Sequence, residues 1–117
     1  MPDDEDQVDV ATLDPDTLAP TLDTASLTNG DLARIFHEIG DMLEVKGELV
    51  FKTVAYHRAA DAIAHSPLDI PDEYRRGQRP RIQGVGQAIS DKIAEIVATG
   101  RLRFYDRLRS EVPPTLI

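Results

Sequence analysis

Residues Ile82-Gln83-Gly84-Val85-Gly86-Gln87-Ala88-Ile89-Ser90-Asp91-Lys92-Ile93 combine what is needed to hold an anion. Two glycines let the backbone take positive φ and approach another surface closely. A helix starting directly after them presents unpaired N–H groups at its first turn, which favours negative charge there. Arg79 and Arg81 stand just before the glycines, and Lys92 lies about one turn into the helix. Outward-facing backbone amides around Val85, with cationic side chains converging on them, would hold phosphate oxygens without reading bases.

Lys92 invites a second kind of chemistry. A deprotonated lysine is a Schiff-base nucleophile, but a free lysine has a pKa of about 10.4, so only about one in a thousand is neutral near pH 7.4. Desolvation or neighbouring positive charge must lower that value. Helical projection sets Lys92 between Ile89, Ile93 and Ile96, which would bury its stem, whereas Asp91 and Glu95 favour the charged form. The plainer alternative is a lysine that contacts a phosphate or water. Upstream, Lys52 and Tyr56 are one helical turn apart and share a face, with Arg58 close by. They suit a phosphate, or else an exposed lysine above a tyrosine packed at the edge of a core. Arg101, Arg103, Arg107 and Arg109 form a stripe that is either solvated or turned toward a nucleic-acid backbone. His37, His57 and His65 show no shared metal-ligand spacing with acids; His57, beside Arg58, reads as a solvated or DNA-touching side chain.

Helices must position these groups. Leu32, Ile35, Phe36, Ile39, Met42 and Leu43 recur at helical spacing, with Asn29 as the expected cap and Gly47 as the stop. A second helix is predicted from about 49 to 65, with Val50, Phe51, Val54, Ala55, Ala59, Ala62 and Ile63 as its apolar positions. Pro71 suits the first turn of a short third helix over 72–76, which Gly77 ends. A fourth spans about 87–98, with Ile89, Ile93, Ile96 and Val97 inward; a fifth spans about 102–110, with Leu102, Tyr105 and Leu108 inward. No stretch alternates with period two, so the expected fold class is all-α: a small bundle of four to five helices. A short helix, a Gly-x-Gly turn and a second helix make a helix-hairpin-helix unit. A dinucleotide site is excluded, because no strand precedes the glycines and Ile89 occupies the third glycine position.

Charge is unevenly spread. The chain of 117 residues carries a net charge of −8, but residues 1–28 hold eight acids and no lysine or arginine. Between Arg75 and Arg109 nine bases face three acids. A phosphate responds mainly to charges within about a Debye length, roughly 8–10 Å, so the local excess outweighs the bulk charge. Residues 1–28 are expected to be an acidic disordered tail, a solvating leader or a segment that competes with DNA for the basic face. Residues 29–112 form the expected DNA-binding domain, and 113–117 the start of a linker to further domains. There is no cysteine, which excludes disulfides and thiolate zinc sites. No apolar run approaches the ~20 residues of a membrane helix, and no secretory leader is visible. The expectation is a cytoplasmic monomer that does not engage membranes.

Gly84-Val85-Gly86, Ile89-x-x-Lys92-Ile93, Ala98-Thr99-Gly100-Arg101-Leu102 and Lys52-x-x-x-Tyr56-x-Arg58-Ala59-Ala60 fall in order. From about Leu27 onward the chain resembles the amino-terminal domain of family X DNA polymerases, a family that includes polymerase beta. Lys46-Gly47-Glu48 and Glu111-Val112-Pro113-Pro114 favour its bacterial branch. The resemblance implies a four-helix module that holds the 5′-phosphate side of a gap during gap-filling DNA repair. In several members this domain also removes a 5′-deoxyribose phosphate by β-elimination through a lysine Schiff base. Lys92 matches that nucleophile, and Lys52 and Tyr56 match positions of the 5′-phosphate pocket. Backbone carbonyls of Pro80, Ile82 and Val85 match a monovalent-cation site, for Na or K. The nucleotidyltransferase acids and their Mg ions would lie in downstream domains, so this chain alone is not expected to polymerise. Two positions depart from the pattern of polymerase beta: Phe51 replaces a histidine and Ala88 replaces a phosphate-contacting lysine.

Three functions therefore stand. The first is a DNA-binding module using Lys52, Tyr56, Arg58, Arg79, Arg81, Gly84, Val85, Gly86, Gln87 and Lys92 on gapped or 5′-phosphorylated DNA. The second is a 5′-deoxyribose-phosphate lyase acting through Lys92. The third is a helical protein-interaction module in which the turn serves packing alone.

Overall fold

A computed structural model describes residues 20–112. Five helices follow one another: α1 (Asn29–Val45), α2 (Val50–Ala64), α3 (Ile70–Arg75), α4 (Gln87–Thr99) and α5 (Arg103–Glu111), after a 3-10 turn at Thr24–Ser26. The described residues contain no strand. The fold is all-α, as the periodicity predicts. Residues 1–19 of the expected tail and the expected linker, 113–117, lie outside the described residues.

α1 buries Leu32, Phe36, Ile39, Met42 and Leu43, the expected i, i+3, i+4 stripe. Its cap differs from expectation. Thr28, not Asn29, is the N-cap: its hydroxyl accepts from Asp31 N–H at 3.1 Å and the Asp31 carboxylate accepts from Thr28 N–H at 3.0 Å. This reciprocal pairing satisfies two backbone donors at once. Asn29 is freed to reach across the bundle. It donates to the Leu68 carbonyl at 2.7 Å and accepts from Ile70 N–H at 2.9 Å, fixing the start of α1 to the α2–α3 connection. α1 ends at Val45, and Gly47 adopts φ +75°, which lets Glu48 N–H return to the Leu43 carbonyl at 3.0 Å. The chain then doubles back, so α2 runs antiparallel to α1, with His57 beside His37 and Gly40.

α2 corrects the expected apolar face. Ala59, Ala60 and Ile63 are buried, whereas Val50 (76% exposed), Phe51 (67%) and Val54 stand in solvent. The apolar residues of this helix wrap around it instead of forming one stripe, and it meets the core from Tyr56 onward while its first turn stays in solvent. α3 starts at Ile70, two residues earlier than expected, because Asp69 caps it by accepting from Asp72 N–H at 3.2 Å. α5 buries Phe104 and Leu108, one turn apart, and leaves Tyr105 half-buried rather than fully inward. Asp106 is 1% exposed and is neutralised by Arg101 at 2.8 Å.

Residues 22–27, ahead of α1, lie against the bundle. Leu22 N–H donates to the Gly100 carbonyl at 2.9 Å, Arg75 donates to the Thr24 carbonyl at 2.8 Å, and Leu27 is buried. Gly100 ends α4 at φ +75°, and a Cβ there would lie 2.4 Å from the Leu22 carbonyl oxygen. Glycine is needed at this position both for the left-handed turn and for the close approach of residues 20–22.

Candidate nucleic-acid interface

α3 and α4 are held in fixed relation by Tyr74, whose hydroxyl lies 2.9 Å from Ser90 Oγ. Between them runs the turn. Gly84 takes φ +93°, and the place of its missing Cβ lies 3.4 Å from Arg58 Cγ and 3.6 Å from Ala62 Cβ. The turn therefore rests on α2, and the stem of Arg58 borders it. Val85 N–H closes the turn by donating to the Ile82 carbonyl at 3.0 Å. The amide of Val85 is thus itself engaged, and the open amides begin after it. Gly86 caps α4 with no side-chain hydrogen bond, and the first helical bond runs from Ser90 N–H to the Gly86 carbonyl at 2.9 Å. Among the described residues no backbone acceptor serves Gln87, Ala88 or Ile89 N–H. Around Gly86 nothing lies within 4 Å of where a Cβ would stand.

A shallow concavity of about 780 Å³ opens at this corner, lined among others by Arg79, Arg81, Val85, Gly86 and Gln87. Five expected site residues thus meet in one place, with Gly84 and Arg58 beside them. Their electrostatics are partly self-compensated. Arg79 donates to Asp91 Oδ1 at 2.8 Å, and Gln87 donates to the same oxygen at 2.8 Å. The Arg79 hydrogen bond, then that of Gln87, holds the Asp91 carboxyl below the usual carboxylate range. Arg79 also lies over the Tyr74 ring, 5.9 Å from its centroid. Among the described residues Arg81, Arg58 and Lys52 make no ion pair.

Lys92 sits elsewhere. It is 4% exposed, and its Nζ lies 4.8 Å from the centroid of the Phe104 ring. Tyr56 stacks between Phe36 (6.2 Å) and Phe104 (5.9 Å), so its ring belongs to the core edge. Lys92 and Tyr56 thus gather at Phe104, outside the lining of the hairpin concavity, and Lys52 lies one turn before Tyr56 on α2.

The arginine stripe near the C-terminus is turned largely inward on the protein. Arg101 binds Asp106, Arg103 binds Glu95 at 3.3 Å, Arg107 binds Glu111 at 3.2 Å, and Arg109 lies over the Tyr105 ring. Arg75 and Arg76 pair with Asp72. The local excess of base counted along the sequence therefore overstates the charge free to meet a phosphate. The histidine reading is also corrected. His37 and His57 Nδ1 atoms lie 2.8 Å apart, with Asp61 and Asp41 at their far sides. The available signal was the repeated His-x-x-x-Asp spacing, 37/41 and 57/61, on consecutive helices.

The carbonyls of Pro80 and Val85 accept no backbone hydrogen bond among the described residues, and that of Ile82 accepts one. Such neutral oxygen donors fit a hard monovalent cation. No helix is long and apolar enough to cross a membrane among the described residues. A family model for a helix-hairpin-helix domain matches residues 27–102, more than half of the chain, and its span contains α1 to α4 and the Gly84–Gly86 turn. Helix-hairpin-helix domains typically bind DNA, and this chain belongs to that family.

Proposed function

We propose that the domain grips the sugar-phosphate backbone of DNA at the Gly84–Gly86 turn, without sequence preference, on the 5′-phosphate side of a gap. The observation that carries this reading is the open amino end of α4 beside Arg81. Free amides there donate to phosphate oxygens, and exposed Arg81 supplies an unpaired cation. Gly86 leaves room for the strand to approach. A Na or K ion on the carbonyls of Pro80, Ile82 and Val85 would add positive charge at the same corner. The resemblance to family X polymerases supports a place in gap-filling repair, with polymerisation belonging to other domains. The test is fluorescence anisotropy with labelled gapped DNA across 50–200 mM salt. Affinity should fall with salt, be indifferent to shuffled sequence, and lose about one unit of log–log slope in Arg81→Ala. Salt-insensitive binding, or an unchanged slope in that variant, would refute the reading.

A second reading draws on Lys92. Its amine, desolvated against Phe104, would attack the C1′ aldehyde of an abasic sugar and lose water to form an imine, after which β-elimination expels the 3′-phosphate-linked strand. Borohydride trapping on a 5′-incised abasic duplex tests it: a covalent adduct that Lys92→Ala abolishes supports the lyase, and no adduct with DNA binding intact excludes it.

A further inference from the structure

On the outer side of the α1–α2 pair, away from any role given above, Asp41, Glu44 and His57 each offer a ligand atom, all within 4.8 Å of one another. The ring of His57 is built into this position. A Cβ on Gly40 would lie 2.6 Å from His57 Nε2, so only glycine in the middle of α1 admits the imidazole. A mid-helix glycine costs about 1 kcal/mol relative to alanine, and the space it leaves is filled by this one ring.

A second histidine stands behind the ring. His57 Nδ1 lies 2.8 Å from His37 Nδ1, and His37 Nε2 lies 3.2 Å from Asp61 Oδ1. A neutral imidazole has one N–H to give. In the tautomer in which His37 donates from Nε2 to Asp61, His57 donates from Nδ1 to His37. The lone pair of His57 Nε2 then points at the Asp41 carboxylate, 3.4 Å away, with Glu44 alongside. In that tautomer three electron donors face one another, two of them anionic, and a bound cation would reconcile them.

We propose that Asp41, Glu44 and His57 bind a divalent first-row transition ion of the Zn²⁺ class, with His37 and Asp61 as positioning residues. Imidazole nitrogen selects such an ion over Mg²⁺ or Ca²⁺. Ligand bonds of about 2.0–2.2 Å require the carboxylates to close in slightly, and both are on exposed side chains free to do so. Three protein ligands leave a fourth position for water. The Asp61–His37–His57 chain is the outer support that zinc-bound histidines use to fix their tautomer. Such an ion would pin α2 to α1.

The test needs no DNA, so its failure leaves the hairpin reading untouched. ZnCl₂ is titrated into the whole chain by calorimetry, with thermal unfolding in parallel. The expected result is a site of one-to-one stoichiometry that raises Tm, unaffected by MgCl₂, and weakened at least tenfold in Glu44→Gln, an exposed change that leaves the fold intact. His37→Asn should weaken Zn²⁺ by about 10–100-fold while Co²⁺ still gives a weaker visible band, since a positioning partner is lost and the ligands are kept. A Zn²⁺ isotherm identical in the parent chain and Glu44→Gln, or no rise in Tm, would overturn the proposal.

Discussion

Asp91 restrains the surface it borders. Its carboxylate holds Arg79 at 2.8 Å and Gln87 at 2.8 Å, one turn into the helix whose amino end would meet phosphate. Asp91→Asn removes one negative charge and keeps an oxygen for Gln87. A unit charge roughly 8 Å from a phosphate repels it by about 0.5 kcal/mol at the dielectric of water and about 2 kcal/mol at an effective dielectric of about 20. DNA affinity should therefore rise between about twofold and about 30-fold, and the gain should shrink with added salt. Loss of the exposed Arg79–Asp91 pair should lower stability by less than about 1 kcal/mol. Asp91→Glu, which keeps the charge, should bind as the parent does. Because the Asp91 pKa is lowered on folding, the small stability it lends is present above about pH 3.8 and lost as pH falls below that value. Fluorescence anisotropy at 50 mM salt, with circular dichroism to confirm the fold, reads the result. Equal or weaker binding by Asp91→Asn would refute the account of this corner.

Further outcomes follow from the scaffold. Asn29→Ala should cost about 1–3 kcal/mol in urea unfolding, because the Leu68 carbonyl and Ile70 N–H lose their partner. Gly100→Ala should cost more than the roughly 1 kcal/mol of a left-handed alanine, since its Cβ also meets Leu22 O at 2.4 Å; a loss below that would contradict the docking of residues 20–22. Burial, then the Glu38 carboxylate, pushes the Tyr105 hydroxyl up to about 12. Its contribution is complete below pH 10 and is lost as pH rises through 12. The rise is worth about 2.7 kcal/mol before screening and about 1 kcal/mol at this half-exposed hydroxyl. Tyr105→Phe should flatten that alkaline loss.

Helix periods and glycines were legible in the sequence because they are local. Phe36 and Ile39 could only face inward, and Gly47, Gly77 and Gly100 all mark turns at positive φ. What escaped is tertiary. Thr28 displaced Asn29 as the cap because a distant carbonyl, that of Leu68, competes for the asparagine. Phe51 lies outward because the first turn of α2 projects past the core, which the helix meets from Tyr56 onward. Counting arginines between 75 and 109 gave the sign of the local charge but not how much of it was spent on Asp72, Glu95, Asp106 and Glu111. The His37–His57 contact joins residues twenty apart and depends on Gly40, whose packing role no local pattern announces. At the site, the turn and its flanking arginines were readable, whereas the bond from the Val85 amide to the Ile82 carbonyl was not.

The most direct measurement of the central claim is a ¹⁵N–¹H NMR titration of the chain with 5′-phosphorylated gapped DNA. The account predicts the largest amide shifts at Gly86 to Ile89, falling away with added salt. Shifts centred instead on Leu49 to Val54, with the amino end of α4 unmoved, would contradict it.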